Sequence, residues 1–191
     1  MERFFDRYLG KDKITALISL GRPWNGVLVS CLTVMGALMA FTAVPTRVYL
    51  TGGLITFLVY LAASALNDIY DVKIDNVNMP HRPLPKGIIN TKTAFIYAFA
   101  CYTLAFLFSL MFSFYYSLLV LIAIFMTAVY SIPPFSLKNR TFCGNLALSI
   151  NTIFLSLFAG FILAGGNPFT STWFLYYTTL FTLSFFLISL S

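Results

Sequence analysis

The chain has 191 residues, 59% of them apolar and only 9% charged, with a formal net charge of +6. So few charges cannot cover the water-facing surface of a soluble domain; this is the composition of a polytopic membrane protein of single-domain length. The basic excess is scattered over several short segments, which argues against nucleic acid as a partner and for membrane lipids.

Residues 1–20 mix both charge signs with Phe4, Phe5, Tyr8, Leu9, Ile14 and Leu17, and no short apolar core with a small-residue cleavage site follows. An amphipathic segment on the membrane interface is expected there, not a signal peptide. Arg22-Pro23-Trp24-Asn25 then opens the first span, with proline in the first turn, where a helix tolerates it. Six apolar stretches follow, near Trp24–Ala43, Val48–Asn67, Thr93–Met111, Phe114–Ile132, Gly144–Leu163 and Trp173–Ser191. Each approaches the ~20 residues a helix needs to cross a hydrocarbon core, twice what a membrane strand needs, so the expected fold is all-α. The link Phe112–Ser117 is short and uncharged, which predicts an antiparallel hairpin of the third and fourth spans.

The second span runs into Asn67-Asp68-Ile69-Tyr70-Asp71-Val72-Lys73-Ile74-Asp75, which holds three of the chain's six acidic residues. At about 100° per residue, Asn67, Asp68, Asp71 and Asp75 share an arc of roughly 100° on one helix face. Clustered carboxylates at a membrane boundary repel one another and resist desolvation, so a cation is expected against them. Mg²⁺ is the natural candidate, being commonly shared between one or two carboxylates and a substrate phosphate. A solvated acidic turn closing the span is the competing reading.

Pro80, Pro83 and Pro85, followed by Gly87, stop the helix and predict a stiff, extended loop presenting Arg82 and Lys86 beside the acids. Acids to hold an ion and cations to hold phosphate oxygens are what a metal-bound diphosphate requires. The same cations also suit a loop that merely sets membrane orientation. His81 is the only histidine, cannot build a zinc site with these carboxylates, and is read as a loop residue. After the fourth span, Pro133 and Pro134 turn the chain and bring Tyr130, Lys138 and Arg140 to the same membrane side, where Trp24 and Tyr130 also suit an aromatic belt. In the fifth span Asn145, Ser149 and Thr152 recur at helical spacing, as a stripe that either joins helices or lines a cavity. Cys31, Cys101 and Cys143 are odd in number and scattered, and are expected as small buried apolar residues rather than disulfides.

Arg3, Arg7, Lys11, Lys13 and Arg22 precede the first span; Lys73, Arg82, Lys86 and Lys92 follow the second; Lys138 and Arg140 follow the fourth. The opposite loops carry only Arg47. By the positive-inside rule the N-terminus and both large loops are cytoplasmic, in a multi-pass protein of the cell membrane.

Asn67-Asp68-x-x-Asp71-x-x-x-Asp75, followed by Asn78-x-Pro80-x-Arg82-Pro83-Leu84-Pro85-x-Gly87, resembles the first aspartate-rich motif of the UbiA superfamily of intramembrane prenyltransferases. The Tyr130-Ser131-x-Pro133-Pro134-x-x-Leu137-Lys138 turn, Gly144-Asn145 and Arg22-Pro23 are similar to the family too. Within it the proline tail is most similar to archaeal digeranylgeranylglyceryl phosphate synthases, and chlorophyll synthases carry a closely similar tail. The resemblance implies a bundle of about nine helices and a Mg²⁺-dependent transfer of an isoprenyl group from its diphosphate to a lipid-phosphate acceptor, with an aromatic or chlorophyllide-type acceptor as the alternative. It implies Mg²⁺ on Asp71 and Asp75 with Asn67 and Asp68 orienting it, and diphosphate on Arg22, Arg82, Lys86 and Lys138. Asn25, Tyr130, Asn145 and Ser149 are then expected to line the substrate cavity. The family's second aspartate-rich motif is not in these 191 residues, and the chain ends at Ser191 within an apolar run. A single domain truncated before that motif is therefore expected, and little transfer by this chain alone. A non-catalytic membrane component or a degenerate homologue is a different class of reading. A transporter fits less well, because the spans lack mid-membrane ionisable residues.

Overall fold

The computed structural model describes residues 13–190, and among them the regular structure is entirely helical. Residues 13–21 form α1, followed by α2 (Pro23–Leu38), α3 (Thr46–Asn78), α4 (Thr91–Ser109) and α5 (Phe114–Ser131). A 3₁₀ turn, Leu137–Asn139, leads into α6 (Thr141–Ser149), which continues through a π-helical turn, Ile150–Phe154, into α7 (Leu155–Leu163); α8 is Thr172–Leu190. The amphipathic segment expected over residues 1–20 lies largely outside the described residues. Its described end is α1, which buries Ala16 and Leu20 against α3 and α4 and leaves Ile14 and Ile18 exposed.

Among the described residues five helices are long and apolar enough to cross a membrane: α3, α4, α5, the continuous α6–α7 rod and α8. This is a multi-pass membrane protein. The first expected span is shorter than its apolar run. At 16 residues α2 stops at Leu38, where the chain turns and Phe41 takes a left-handed φ of 54°. The second is longer than expected. The helix passes Asn67 without a break and runs to Asn78, 33 residues in all. At about 1.5 Å per residue it measures roughly 50 Å against a hydrocarbon core of about 30 Å, so its acidic end reaches past the apolar slab.

Small residues set the closest contacts. Where α2 crosses α7, a Cβ on Gly36 would strike the Leu157 carbonyl, and one on Gly160 the Thr33 carbonyl. The two backbones touch because neither position carries a side chain, the usual way membrane helices gain contact without a hydrophobic drive. Hydroxyls add interhelical bonds: Thr33 to Thr56 at 2.7 Å, Ser64 to the Leu20 carbonyl at 3.1 Å, and Tyr102 to Thr127 at 2.5 Å. Large apolar side chains such as Phe99, Met111 and Phe125 are exposed, as expected where lipid is the solvent. Cys101 is buried, but Cys31 and Cys143 are exposed rather than buried, because they lie on outward helix faces; all three are free thiols.

Candidate active site

The acidic end of α3 separates into two clusters. In the first, the Asn67 side-chain amide donates to Asp71 Oδ2 at 2.9 Å, and Lys138 Nζ donates to Asp71 Oδ1 at 2.6 Å and Asn67 Oδ1 at 3.1 Å. In the second, Arg22 Nη2 donates to Asp68 Oδ1 at 2.5 Å, while Arg82 Nη1 lies 3.4 Å from the same oxygen and donates to Asp75 Oδ2 at 2.7 Å. Asp68 and Asp75 are 4% and 6% exposed, so these carboxylates are held by paired guanidiniums rather than by water.

Local conformation delivers the cations. Arg22 caps α2 with a left-handed φ of 50°, which swings its side chain back towards α3. Ser136 takes φ 36° just before the 3₁₀ turn that aims Lys138. Such conformations cost about 1–3 kcal/mol each and persist where surrounding contacts hold them. The proline segment after α3 is not extended. Arg82, Lys86 and Gly87 close successive backbone turns onto Met79, Arg82 and Leu84, because each proline's fixed φ suits a turn as well as an extended chain. This folds Arg82 back over Asp75.

A cavity of about 260 Å³ opens beside the first cluster, lined by Arg22, Ser64, Asn67, Tyr130, Ser131 and Asn151 among others. Through Tyr60, Ala63, Thr127, Asn151 and Thr152 it adjoins a narrower, mostly apolar space of about 60 Å³ between Ile55, Val59, Tyr116 and Val120. A separate cleft of about 530 Å³ lies on the other side of Arg22, lined by Ser19, Asp68, His81 and Arg82.

The expected site residues are thus divided. Asn67, Arg22 and Tyr130 line the cavity, with Asp71 and Lys138 behind Asn67 and bonded to it; Asp68, Asp75 and Arg82 form the second cluster. Lys86 and Asn25 are exposed and line neither space, because the turn points Lys86 outward and Asn25 lies on the outer side of α2. Asn145 donates to the Ser189 carbonyl at 2.7 Å and joins α6 to α8, and the fully buried Ser149 bonds the Asn145 carbonyl. These two serve helix packing instead of lining the cavity, since the π-helical turn after them rotates Asn151 and Thr152 to that position. Tyr60, Ser64 and Ser131 were not anticipated. Their signal was local: Tyr60 and Ser64 stand seven and three residues before Asn67 on the same helix, and Ser131 follows Tyr130.

The UbiA prenyltransferase family matches residues 27–191. The chain belongs to that family. It is 34% identical over 140 residues to a digeranylgeranylglyceryl phosphate synthase of Pyrococcus horikoshii, covering 72% of this chain and 49% of that protein. It is 35% identical over 143 residues to that of Pyrococcus abyssi, covering 73% and 50%. The chain therefore spans about half the length of these UbiA relatives. In fold it is similar to a structure described for digeranylgeranylglyceryl phosphate synthase in membranes, with a TM-score of 0.80 at 23% identity, over 91% of this chain and 60% of that one. A UbiA homologue from Archaeoglobus fulgidus bound to DMAPP and Mg²⁺ superposes with a TM-score of 0.70 at 20% identity, over 79% and 55%.

The donor set suits a hard ion. Asn67 at the cavity edge and Asp71 bonded to it offer amide and carboxylate oxygens, the ligand type Mg²⁺ takes when it keeps waters. Among the described residues no group of three or more His, Cys, Asp or Glu gathers to hold an ion unaided.

Proposed function

We propose that the full-length protein containing these residues transfers an isoprenyl group, geranylgeranyl in the first instance, from its diphosphate to the hydroxyl of a glyceryl phosphate ether lipid, with Mg²⁺ as cofactor. The observation that carries this is the Asn67–Asp71–Lys138 cluster, which meets through Asn67 a cavity that narrows into an apolar space. The polar rim suits a diphosphate, and the apolar depth of about 60 Å³ suits the first few carbons of a hydrocarbon chain. The activity for which the Pyrococcus relatives are named and the DMAPP and Mg²⁺ held by the Archaeoglobus fulgidus homologue support the same reading.

Asn67 and Asp71 would hold the ion, which when bound neutralises the diphosphate and assists its departure. Lys138, within 2.6 Å of Asp71, needs only a change of rotamer to donate to phosphate oxygens instead. Arg22 faces the same cavity and adds charge as the leaving group departs. Ile55, Val59, Val120 and Ala159 around the deeper space would keep water from the allylic cation. We also place this site on the cytoplasmic side of the cell membrane, because Arg82, Lys86, Lys92, Lys138 and Arg140 cluster in the loops at that end.

The test is incubation of the full-length protein with labelled geranylgeranyl diphosphate, geranylgeranylglyceryl phosphate and Mg²⁺. Metal-dependent digeranylgeranylglyceryl phosphate is the expected product. Transfer to an aromatic acceptor alone would move the assignment to the other branch of the family, and EDTA-insensitive transfer would remove the metal role.

A further inference from the structure

The 530 Å³ cleft is not part of the cavity that takes the donor, and its walls carry a different chemistry. It is bounded by α1, the C-terminal end of α3 and the turns that follow, with Ser19, His81 and Arg82 on its walls and Arg22 as the partition from the 260 Å³ cavity. Among the described residues Asp68 is the only carboxylate lining it, and its Oδ1 is engaged by both arginines. The acids lie beneath the bases: the side chains of Asp68 and Asp75 are 6% and 8% exposed, those of Arg22 and Arg82 36% and 27%. Among the described residues each guanidinium spends a single nitrogen on these carboxylates, Nη2 of Arg22 and Nη1 of Arg82. The remaining N–H donors belong to two planar forks already fixed from behind. Lys13 lines the adjoining space, which shares Ile88 with the cleft, and adds a further cation.

We propose that this cleft is a metal-independent binding site for a phosphomonoester, the headgroup of the acceptor, separated from the donor's diphosphate by Arg22. The anion class follows from the donor set. A metal-bound diphosphate needs carboxylate oxygens turned towards the ion, and Asp68 lies 6% exposed beneath two arginines that both engage its Oδ1. Two guanidinium forks, with the His81 imidazole beside them, instead offer N–H groups that recognise phosphate oxygens directly. Arg22 faces both spaces, so an acceptor anchored by its phosphate in the cleft has its hydroxyl end directed to the cavity where the donor carbon lies. The acceptor's identity rests on the function proposed above; the anion site rests on the cleft alone.

The experiment is a ³¹P NMR titration of the detergent-solubilised full-length protein with glycerol 1-phosphate in EDTA, repeated in competition with nanodiscs containing phosphatidic acid. Saturable binding without metal is expected, weakened roughly ten- to a hundredfold by Arg82→Gln through lost charge-assisted hydrogen bonds. Arg82→Lys keeps a cation over Asp75, and with it the fold, but loses the fork, so it should weaken binding as well. Lys138→Gln should leave this affinity unchanged while weakening Mg²⁺-dependent binding of geranylgeranyl diphosphate. Competition by phosphatidic acid identifies a lipid headgroup as the ligand, and its failure identifies a soluble phosphate; both keep the phosphomonoester site. Binding that requires Mg²⁺, survives Arg82→Lys at full affinity or disappears with Lys138→Gln overturns it. Loss of diphosphate binding alone would sink the donor assignment and leave the cleft intact.

Discussion

Asp68 and Asp71 stand three residues apart on α3 and answer to different neighbours. Asp71 faces Asn67 and Lys138 behind the cavity rim, whereas Asp68 is buried beneath Arg22 and Arg82. In the full-length protein, Asp71→Asn should lower metal-dependent transfer by roughly a hundredfold or more, the scale seen when one electrostatic partner of a departing charge is removed. Its effect on thermal unfolding in detergent should be smaller, about 1 kcal/mol, because it strips charge from a single cation, and Lys138 still donates to Asn67 Oδ1 at 3.1 Å. Asp68→Asn should instead destabilise the protein by about 1–3 kcal/mol: it strips a buried carboxylate from two arginines, discounted because both guanidiniums still reach solvent. Wild-type unfolding in Asp68→Asn, or wild-type turnover in Asp71→Asn, would contradict this division of roles. The division is present in the helical angles. From Asn67, Asp71 lies at about 40° and Asp75 and Asp68 at about 80° and 100°, so the arc has two edges. What the sequence could not supply was which cation meets each edge, since Arg22 and Lys138 arrive from 46 and 67 residues away through left-handed residues.

Among the helices, α2 and α7 make the contact that decides how closely the bundle can pack. A methyl group at Gly36 or Gly160 would collide with a backbone carbonyl, which cannot swing aside as a side chain can. Gly53 is the internal control, because a Cβ there would meet only Val34 at 3.6 Å and Ser30 at 3.9 Å. Gly160→Ala should therefore cost about 1–3 kcal/mol by overpacking, and Gly53→Ala close to nothing. Size-exclusion profiles after graded heating in detergent would rank them, and equal melting of the two variants would remove the close crossing. Span positions were legible because apolar runs of ~20 residues leave few alternatives. Helix ends were less so. The true end of α3 depends on the acids being neutralised by Arg22, Arg82 and Lys138, and that of α2 on a turn inside an apolar run. The stripe Asn145, Ser149, Thr152 assumed an unbroken 3.6-residue period, and the π-helical turn at Ile150–Phe154 ended that phase, handing the cavity wall to Asn151 and Thr152.

Across the whole molecule, the segments carrying Arg22, Arg82 and Lys138 meet at one end of the bundle, although they lie far apart in the chain. The turns at the other end are 39–45, 110–113 and 164–171, near which Arg47 is the only cation among the described residues. The active site proposed above draws donor and metal from the cytoplasm and so requires the first end to face inward, the orientation that the positive-inside rule predicts from the charge asymmetry. Lys138 itself is a poor reporter because its side chain is 12% exposed and tied to Asp71, whereas the neighbouring Asn139 is exposed. Single cysteines at Lys86, Asn139 and Thr170, introduced on a background without Cys31, Cys101 and Cys143, sample both ends at exposed sites. In inside-out vesicles a membrane-impermeant maleimide should label Lys86→Cys and Asn139→Cys but not Thr170→Cys, and in right-side-out vesicles the pattern should reverse. Labelling of Lys86→Cys and Asn139→Cys from opposite sides would separate the elements that the site needs together. Labelling of both only from outside would leave the fold standing and place the diphosphate site on the wrong face of the membrane for a cytoplasmic donor.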